Sequence, residues 1–412
     1  MENSVARNRC YVRVQVPSSI VPLDSILPEE PLLMMGAGPV PVPARVAAAN
    51  SIVINHLGET MAEIIEQVKA MSRYVFQTES RHLLGVAGPG SAAMEMAVVN
   101  LVEPGSIVLS VCNGFFSHRL SEMAERAEAN VVRLQVDEGN AADPLKIEQA
   151  IIEHKPSILT IVQGETSNTV YNRYLPEIAK LAKQNNCLVI VDAVCTLSAL
   201  QLDMDDWGID AVITGGQKGL SSIPGVSLVA FSEDAWSKIE SRKDELRHWC
   251  LDAKLADQFW YKKSYHYTAP VSGILAMHEA LRLICSETLS TRFERHLKCS
   301  VALQAGIEAM GLKLFVKPEA RLNPVIGITL PGEVNPDILL RYMSDRYRVE
   351  ISGSFGPDIV RIGQMGEQSR AHHLFRTLHA LGSSVNALGG AVNVPNGVAA
   401  LESELENYEF PS

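Results

Sequence analysis

Asp192 closes the apolar run Leu188-Val189-Ile190-Val191, and Lys218 follows a second run, Ala211-Val212-Ile213-Thr214, across Gly215-Gly216-Gln217. If both runs are strands of one open parallel sheet, acid and lysine share its carboxyl edge, where such sheets bind ligands. Two chemistries suit the pair. One is a buried ion pair, which desolvation makes costly. The other needs a lysine amine depressed enough to form a Schiff base, and a carboxylate that keeps a pyridinium nitrogen protonated. That is the division of labour at a pyridoxal phosphate (PLP) site. Spacing alone leaves both open. A third feature adds weight to the second. Gly85-Val86-Ala87-Gly88-Pro89-Gly90-Ser91-Ala92-Ala93-Met94-Glu95 runs from an expected strand through glycines into an expected helix. Backbone N–H groups at such a helix start make a ready phosphate site. The turn is neither a P-loop nor a Rossmann fingerprint.

The elements that must position these residues are legible as periodicity. Met61, Ile64, Ile65, Val68, Met71 and Val75 have helical spacing. Short apolar runs then alternate with helical stretches: 107–111, a helix at 117–129, 131–134, 158–162, a helix near 175–184, 187–191, 211–214 and 227–231. Near-continuous Val/Ile/Leu runs separated by helices indicate buried, mostly parallel strands. A long helix near 272–286 leads away from this body. Beyond residue 310, expected strands at 312–316, 325–329, 348–352 and 360–363 interleave with helices at 336–346 and 368–382, which makes a smaller α+β domain. The expected division is a Pro-rich arm (1–31), a large α/β domain (32–285), a small domain (286–385) and an extension (386–412) with an acidic helix at 399–408.

Composition narrows the partners. The chain has 412 residues, 36 Lys+Arg against 47 Asp+Glu and a formal net charge of −11. No basic run stands out against that balance, which argues against nucleic acid. The seven cysteines, Cys10, Cys112, Cys187, Cys195, Cys250, Cys285 and Cys299, are scattered without a C-x-x-C pair, the pattern of reduced thiols. His372, His373 and His379 lie on a Leu/Phe-rich helical stretch whose spacing does not converge on a metal. The first sixteen residues, with Arg7, Arg9 and Arg13, hold no apolar segment of signal-peptide length, and no run approaches a membrane span. A cytoplasmic protein with no membrane partner is expected.

At this point a family resemblance is clear. Gly36-Ala37-Gly38-Pro39, Tyr74-Val75-Phe76-Gln77-Thr78, Gly88 through Glu95, Asn113-Gly114, Gly164-Glu165-Thr166-Ser167, Val191-Asp192-Ala193-Val194, Gly215-Gly216-Gln217-Lys218, Tyr265-His266-Tyr267-Thr268 and Arg361-Ile362-Gly363 occur in that order. The chain resembles a fold-type I, class V PLP-dependent aminotransferase of the alanine–glyoxylate and serine–glyoxylate group, over roughly residues 32–385. The resemblance implies a large domain with a mostly parallel seven-stranded sheet. It implies Lys218 as Schiff-base lysine and general base, and Asp192 against the pyridinium nitrogen. Gly90, Ser91 and Gln217 would hold the phosphate, Thr166 the 3-oxygen region, and Phe116 would stack on the ring. Tyr265 and Thr268 would reach the phosphate of a neighbouring subunit, which implies a homodimer. Arg361 would grip the substrate carboxylate, with Gly38 and His56 lining the substrate pocket.

Departures from the pattern bear on substrate and phosphate. Phe116 stands where alanine–glyoxylate enzymes commonly have Trp, so stacking keeps less area. Pro89 stands where relatives often place Ser, so the turn lacks one hydroxyl and one N–H. His56 falls where ureidoglycine–glyoxylate members place an amide, and their second amide position falls at Trp249, which counts against that specificity. Ser352-Gly353-Ser354-Phe355-Gly356 lacks the second arginine of pyridoxamine–pyruvate relatives. No cysteine follows Cys299, which excludes a cysteine desulfurase. The reading is transfer of an amino group from an alanine- or serine-type donor to a glyoxylate- or pyruvate-type acceptor. The alternative is a PLP lyase, or another aminotransferase of ureidoglycine–glyoxylate or pyridoxamine–pyruvate type, on the same scaffold, and a non-catalytic binder is disfavoured by the intact Lys218, Asp192 and Arg361.

Overall fold

The computed structural model describes residues 16–407. Residues 1–15, with Cys10, Arg7, Arg9 and Arg13, and residues 408–412 lie outside the described residues. The described residues fall into two compact units, one ending at Leu32 and one starting at Leu33. In the first, Leu23–Ser25 form a single 3₁₀ turn closed by Ser25 N–H donating to Pro22 O.

The second unit is built on a seven-stranded sheet: β1 (His82–Ala87), β2 (Ile107–Cys112), β3 (Asn130–Gln135), β4 (Ile158–Val162), β5 (Leu188–Asp192), β6 (Ala211–Gly215) and β7 (Val226–Phe231). Its spatial order is β1-β7-β6-β5-β4-β2-β3. All pairings are parallel except those of β7, which runs antiparallel to both neighbours. Every residue of β4, β6 and β7 is buried, which is what continuous aliphatic runs covered on both faces produce. Helices α1 (Glu59–Phe76), α2 (Gly90–Leu101) and α3 (Phe115–Arg126) bury Ile65, Val68, Ala97, Val98 and Leu120 in the same apolar core.

Helix α4 (Val271–Glu287) leads into α5 (Leu289–Ala309), and the chain then builds the antiparallel sheet β8 (Lys313–Leu314), β9 (Val325–Thr329) and β10 (Val360–Gly363). A separate core gathers beneath it, from Leu303, Ile307, Ile326, Ile328, Val360 and Ile362 to Leu378 of α6 (Ala371–Ala387) and Leu401 of α7 (Val394–Asn407). Two expected strands shrink. The run 312–316 keeps only the two residues of β8, and 348–352 keeps only Val349–Glu350, which pair in parallel with Leu33–Met34 instead of joining β8–β10. Among the described residues no helix is long and apolar enough to cross a membrane, and no three His, Cys, Asp or Glu side chains are grouped to hold a metal.

Candidate active site

The residues singled out by type and spacing converge on the carboxyl edge of the large sheet. Asp192 ends β5, Lys218 follows β6, the Gly88-Pro89-Gly90 turn follows β1, Asn113–Phe116 follow β2, and Gly164–Ser167 lie just past β4.

Lys218 is walled in. Its Nζ donates to the carbonyl of Ala37, and Gly38, at φ +102°, lets the backbone pass directly over it. A Cβ at Gly38 would come within 2.5 Å of Nζ, so only glycine fits both the close approach and the left-handed conformation. Burial brings the Lys218 amine down to about 8, with nearby Arg361 and Arg119 acting in the same direction. Asp192 is 4% exposed and its Oδ1 accepts from Val194 N–H at 2.8 Å. Burial pushes its carboxyl up to about 6, and that backbone bond works against the rise.

The Gly88-Pro89-Gly90 turn is tightly drawn. Pro89 precedes α2 with no side-chain cap, and the first N–H groups of any helix lack intrahelical acceptors. A Cβ on Gly90 would meet Val194 Cγ2 at 2.8 Å. A Cβ on Gly215 would meet Gln217 Oε1 at 2.9 Å and Gly90 Cα at 3.2 Å, so Gln217 and Gly90 flank one narrow passage. Gln217 Oε1 is buried without a hydrogen-bond partner. An uncapped helix start, a depressed lysine and a buried carboxylate together fit PLP. The phosphate, aldehyde and pyridinium ends of that cofactor would each find a matching group.

Arg361 on β10 reaches this edge from the small sheet. It is 4% exposed, its Nε donates to Gly353 O and its Nη1 to Thr166 O, each at 2.7 Å. Burial lowers it to about 10, and the Glu165 carboxylate works against that. Thr166 itself is buried, and the ring of Phe355 lies 5.5 Å from the Arg361 guanidinium. Phe116 is half-buried, edge-on to Phe115 at 5.5 Å.

The remaining sequence candidates form a second group. Tyr265 is 59% exposed and Thr268 is exposed. His56 joins their segment: its Nδ1 accepts from Ala269 N–H at 3.3 Å, and its ring lies 6.3 Å from Phe259 and 5.9 Å from Tyr265. No contact ties His56, Tyr265 or Thr268 to Lys218 among the described residues.

Three residues of the site carry no individual sequence signal. Glu165, fully buried, accepts from Ser117 N–H at 2.9 Å and from the Ser167 hydroxyl at 2.6 Å, and so pins the start of α3. A carboxylate at a helix N-terminus is stabilised by the helix dipole. Arg292 donates to Gly219 O at 2.7 Å and to Ser198 Oγ at 3.3 Å while its other arm holds Glu287 at 2.8 Å, which braces the segment after Lys218 from behind. Arg119 donates to Ser91 Oγ at 3.0 Å. It lies three residues after Phe116 and shares that residue's helix face, a spacing that does not by itself name its target.

Fold and site together define a lysine-centred PLP site on a fold-type I scaffold. Residues 45–365 match the family described as Aminotransferase class-V, and the chain belongs to that PLP-dependent family. It is 34% identical to the alanine–glyoxylate aminotransferase of Oryctolagus cuniculus over 358 residues, covering 85% of this chain and 91% of that protein. The ureidoglycine–glyoxylate aminotransferase structure from Bacillus subtilis superposes with a TM-score of 0.90 at 31% identity, covering 92% of this chain and 100% of the other. The alanine–glyoxylate aminotransferase structure from Nostoc sp. gives 0.85 at 31% identity, covering 90% and 98%.

Proposed function

We propose that this aminotransferase takes the amino group of a small donor, alanine or serine in type, and passes it to a small 2-oxo acid such as glyoxylate or pyruvate. The observation that carries the reading is a lysine amine brought down to about 8 at one sheet edge with a buried carboxylate. Lys218 Nζ would hold the cofactor's aldehyde end, Asp192 its ring nitrogen, Gly90, Ser91 and Gln217 its phosphate, and Phe116 and Thr166 its ring. Bound there, PLP supplies an electron sink for the pair left when the substrate Cα proton departs. Arg361 receives the substrate carboxylate through its unused N–H donors, which fixes Cα near Lys218. Lys218 Nζ, neutral above about pH 8, takes the Cα proton and returns it one position away, so the same amine serves as base and acid.

The outward group completes the proposal. Tyr265 and Thr268, exposed on this chain, would serve the phosphate of a second subunit's cofactor, and His56 would travel with them to that pocket. A homodimer with shared sites follows. In this reading residues 32–285 hold the cofactor and 286–385 bring Arg361 to it. A cytoplasmic location is supported by six unpaired cysteines among the described residues.

Stopped mixing of the cofactor-loaded protein with single amino acids tests the donor. Loss of the long-wavelength absorbance with alanine or serine, and its return on adding glyoxylate or pyruvate, is expected. A spectrum unmoved by any amino acid would defeat the reading. Product formed without any 2-oxo acid would point to a lyase instead.

A further inference from the structure

Two guanidinium groups belong to this site, and neither Arg119 nor Arg361 makes an ion pair with a carboxylate among the described residues. The contrast with the supporting arginines is direct. Arg292 and Arg295 hold Glu287 at 2.8 and 2.5 Å, Arg321 holds Glu308 at 2.8 Å, and Arg370 holds Glu367 at 2.8 Å. A half-buried cation kept without an anion is costly unless a ligand supplies one. Arg361 answers to the substrate carboxylate. Arg119 is left over.

Its surroundings identify its anion. Arg119 Nη1 donates to Ser91 Oγ at 3.0 Å, on the first turn of α2, and its guanidinium lies 4.9 Å from the Phe116 ring centroid and 5.1 Å from that of Phe115. One side chain therefore joins the phosphate turn to the aromatic wall. The charged groups near it are Lys218 and Asp192, whose ionisation it shifts. Meanwhile the turn is short of donors, because Pro89 brings neither a hydroxyl nor an N–H.

We infer that Arg119 is the charge partner of the cofactor phosphate, supplying to the donor-poor Pro89 turn the cation that its backbone cannot. The inference rests on the reading of Ser91 and Phe116 as cofactor residues. A phosphate dianion between the α2 start and Arg119 gains charge-assisted bonds and fixes the ring against Phe116, while the guanidinium keeps its stacking on that ring. Arg119 acts as a positioning residue: it holds the cofactor's far end and takes no proton.

The test compares PLP with pyridoxal, which lacks the phosphate. Protein stripped of cofactor is titrated with each, and binding is followed by absorbance. Wild type is expected to prefer PLP strongly. In Arg119→Met the affinity for PLP should fall about 10–100-fold, the scale of a charge-assisted hydrogen bond, with pyridoxal affinity unchanged. Arg119→Lys should keep most of the preference, and it remains readable if the methionine variant does not fold. A wild-type preference that survives intact in Arg119→Met overturns the role of Arg119. If Met does not fold, a PLP preference in Arg119→Lys as low as that of Ser91→Ala or lower does the same. A wild type that does not distinguish PLP from pyridoxal instead overturns the assignment of the phosphate turn itself.

Discussion

The residues of the proposed site divide into two regions that differ in burial. Lys218, Asp192, Arg361 and Thr166 lie in the body of the unit, each held by partners within this chain. Tyr265 and Thr268 face outward, and His56 packs against their segment through Phe259 and Ala269. The first region finds its hydrogen-bond partners within the chain and is poised by desolvation. The second, under the proposed function, would act on a neighbouring subunit. Burial separates the two: the groups shifted in pKa are dry, and those that under the proposed function would only donate a hydrogen bond to phosphate lie in solvent.

Variants of the inner region should have the largest effects. Replacing Lys218 with Met should lower turnover by at least about 10²–10⁴-fold, the range of a general acid–base group, with steady-state kinetics as the readout. The same variant should show the cost of burying the amine. A lysine with a folded-state value near 8 and an unfolded value of 10.5 destabilises the fold fully below pH 8, and the cost fades as pH rises toward 10.5. Cofactor-free Lys218→Met should then be more stable than wild type at pH 7 by on the order of 1–3 kcal/mol, with the gap closing in alkaline denaturation curves.

Asp192→Asn should cost about 100-fold in turnover, the scale of one preorganised electrostatic partner. The sign of its pH effect is opposite to that of a surface carboxylate. With a folded value near 6 against 3.8, the native state holds its proton longer, so Asp192 lowers stability as pH climbs from about 4 to 6. The stability difference between wild type and Asp192→Asn should grow across that window. Arg361→Lys keeps the charge but not the fork, and a rise of about 10-fold in KM for the amino donor is expected. The outer region should be gentler: Tyr265→Phe is expected to weaken PLP binding about 5-fold, one ordinary hydrogen bond, with the donor KM unchanged.

The inner pair was legible in the sequence because polar residues that terminate aliphatic runs stand out against them. Asp192 and Lys218 both do, and a parallel sheet brings such ends to one edge. Arg361 was legible only through the ordered motifs around it, since an arginine inside Val360–Gly363 interrupts a strand pattern without naming its target. Glu165, Arg119 and Arg292 were not legible, because their roles lie in contacts 28 to 94 residues away along the chain. Local pattern carries no information about such pairings. The short strand Val349–Glu350 shows the same limit: its apolar run is real, but its partner Leu33–Met34 lies more than 300 residues earlier. The acidic helix begins at Val394, earlier than its charge pattern suggests, with Pro395 tolerated in the first turn.

The contrast between inner and outer regions is tested most directly by subunit mixing. Lys218→Ala removes the inner region, and the double substitution Tyr265→Glu, Thr268→Glu places carboxylates where the outer region should meet a phosphate. Each protein alone should be inactive. After denaturation and joint renaturation, half of the dimers should be mixed, each with one intact site, so activity should recover to about a quarter of wild type. Mixed dimers seen by native mass spectrometry with no recovered activity would contradict the shared site.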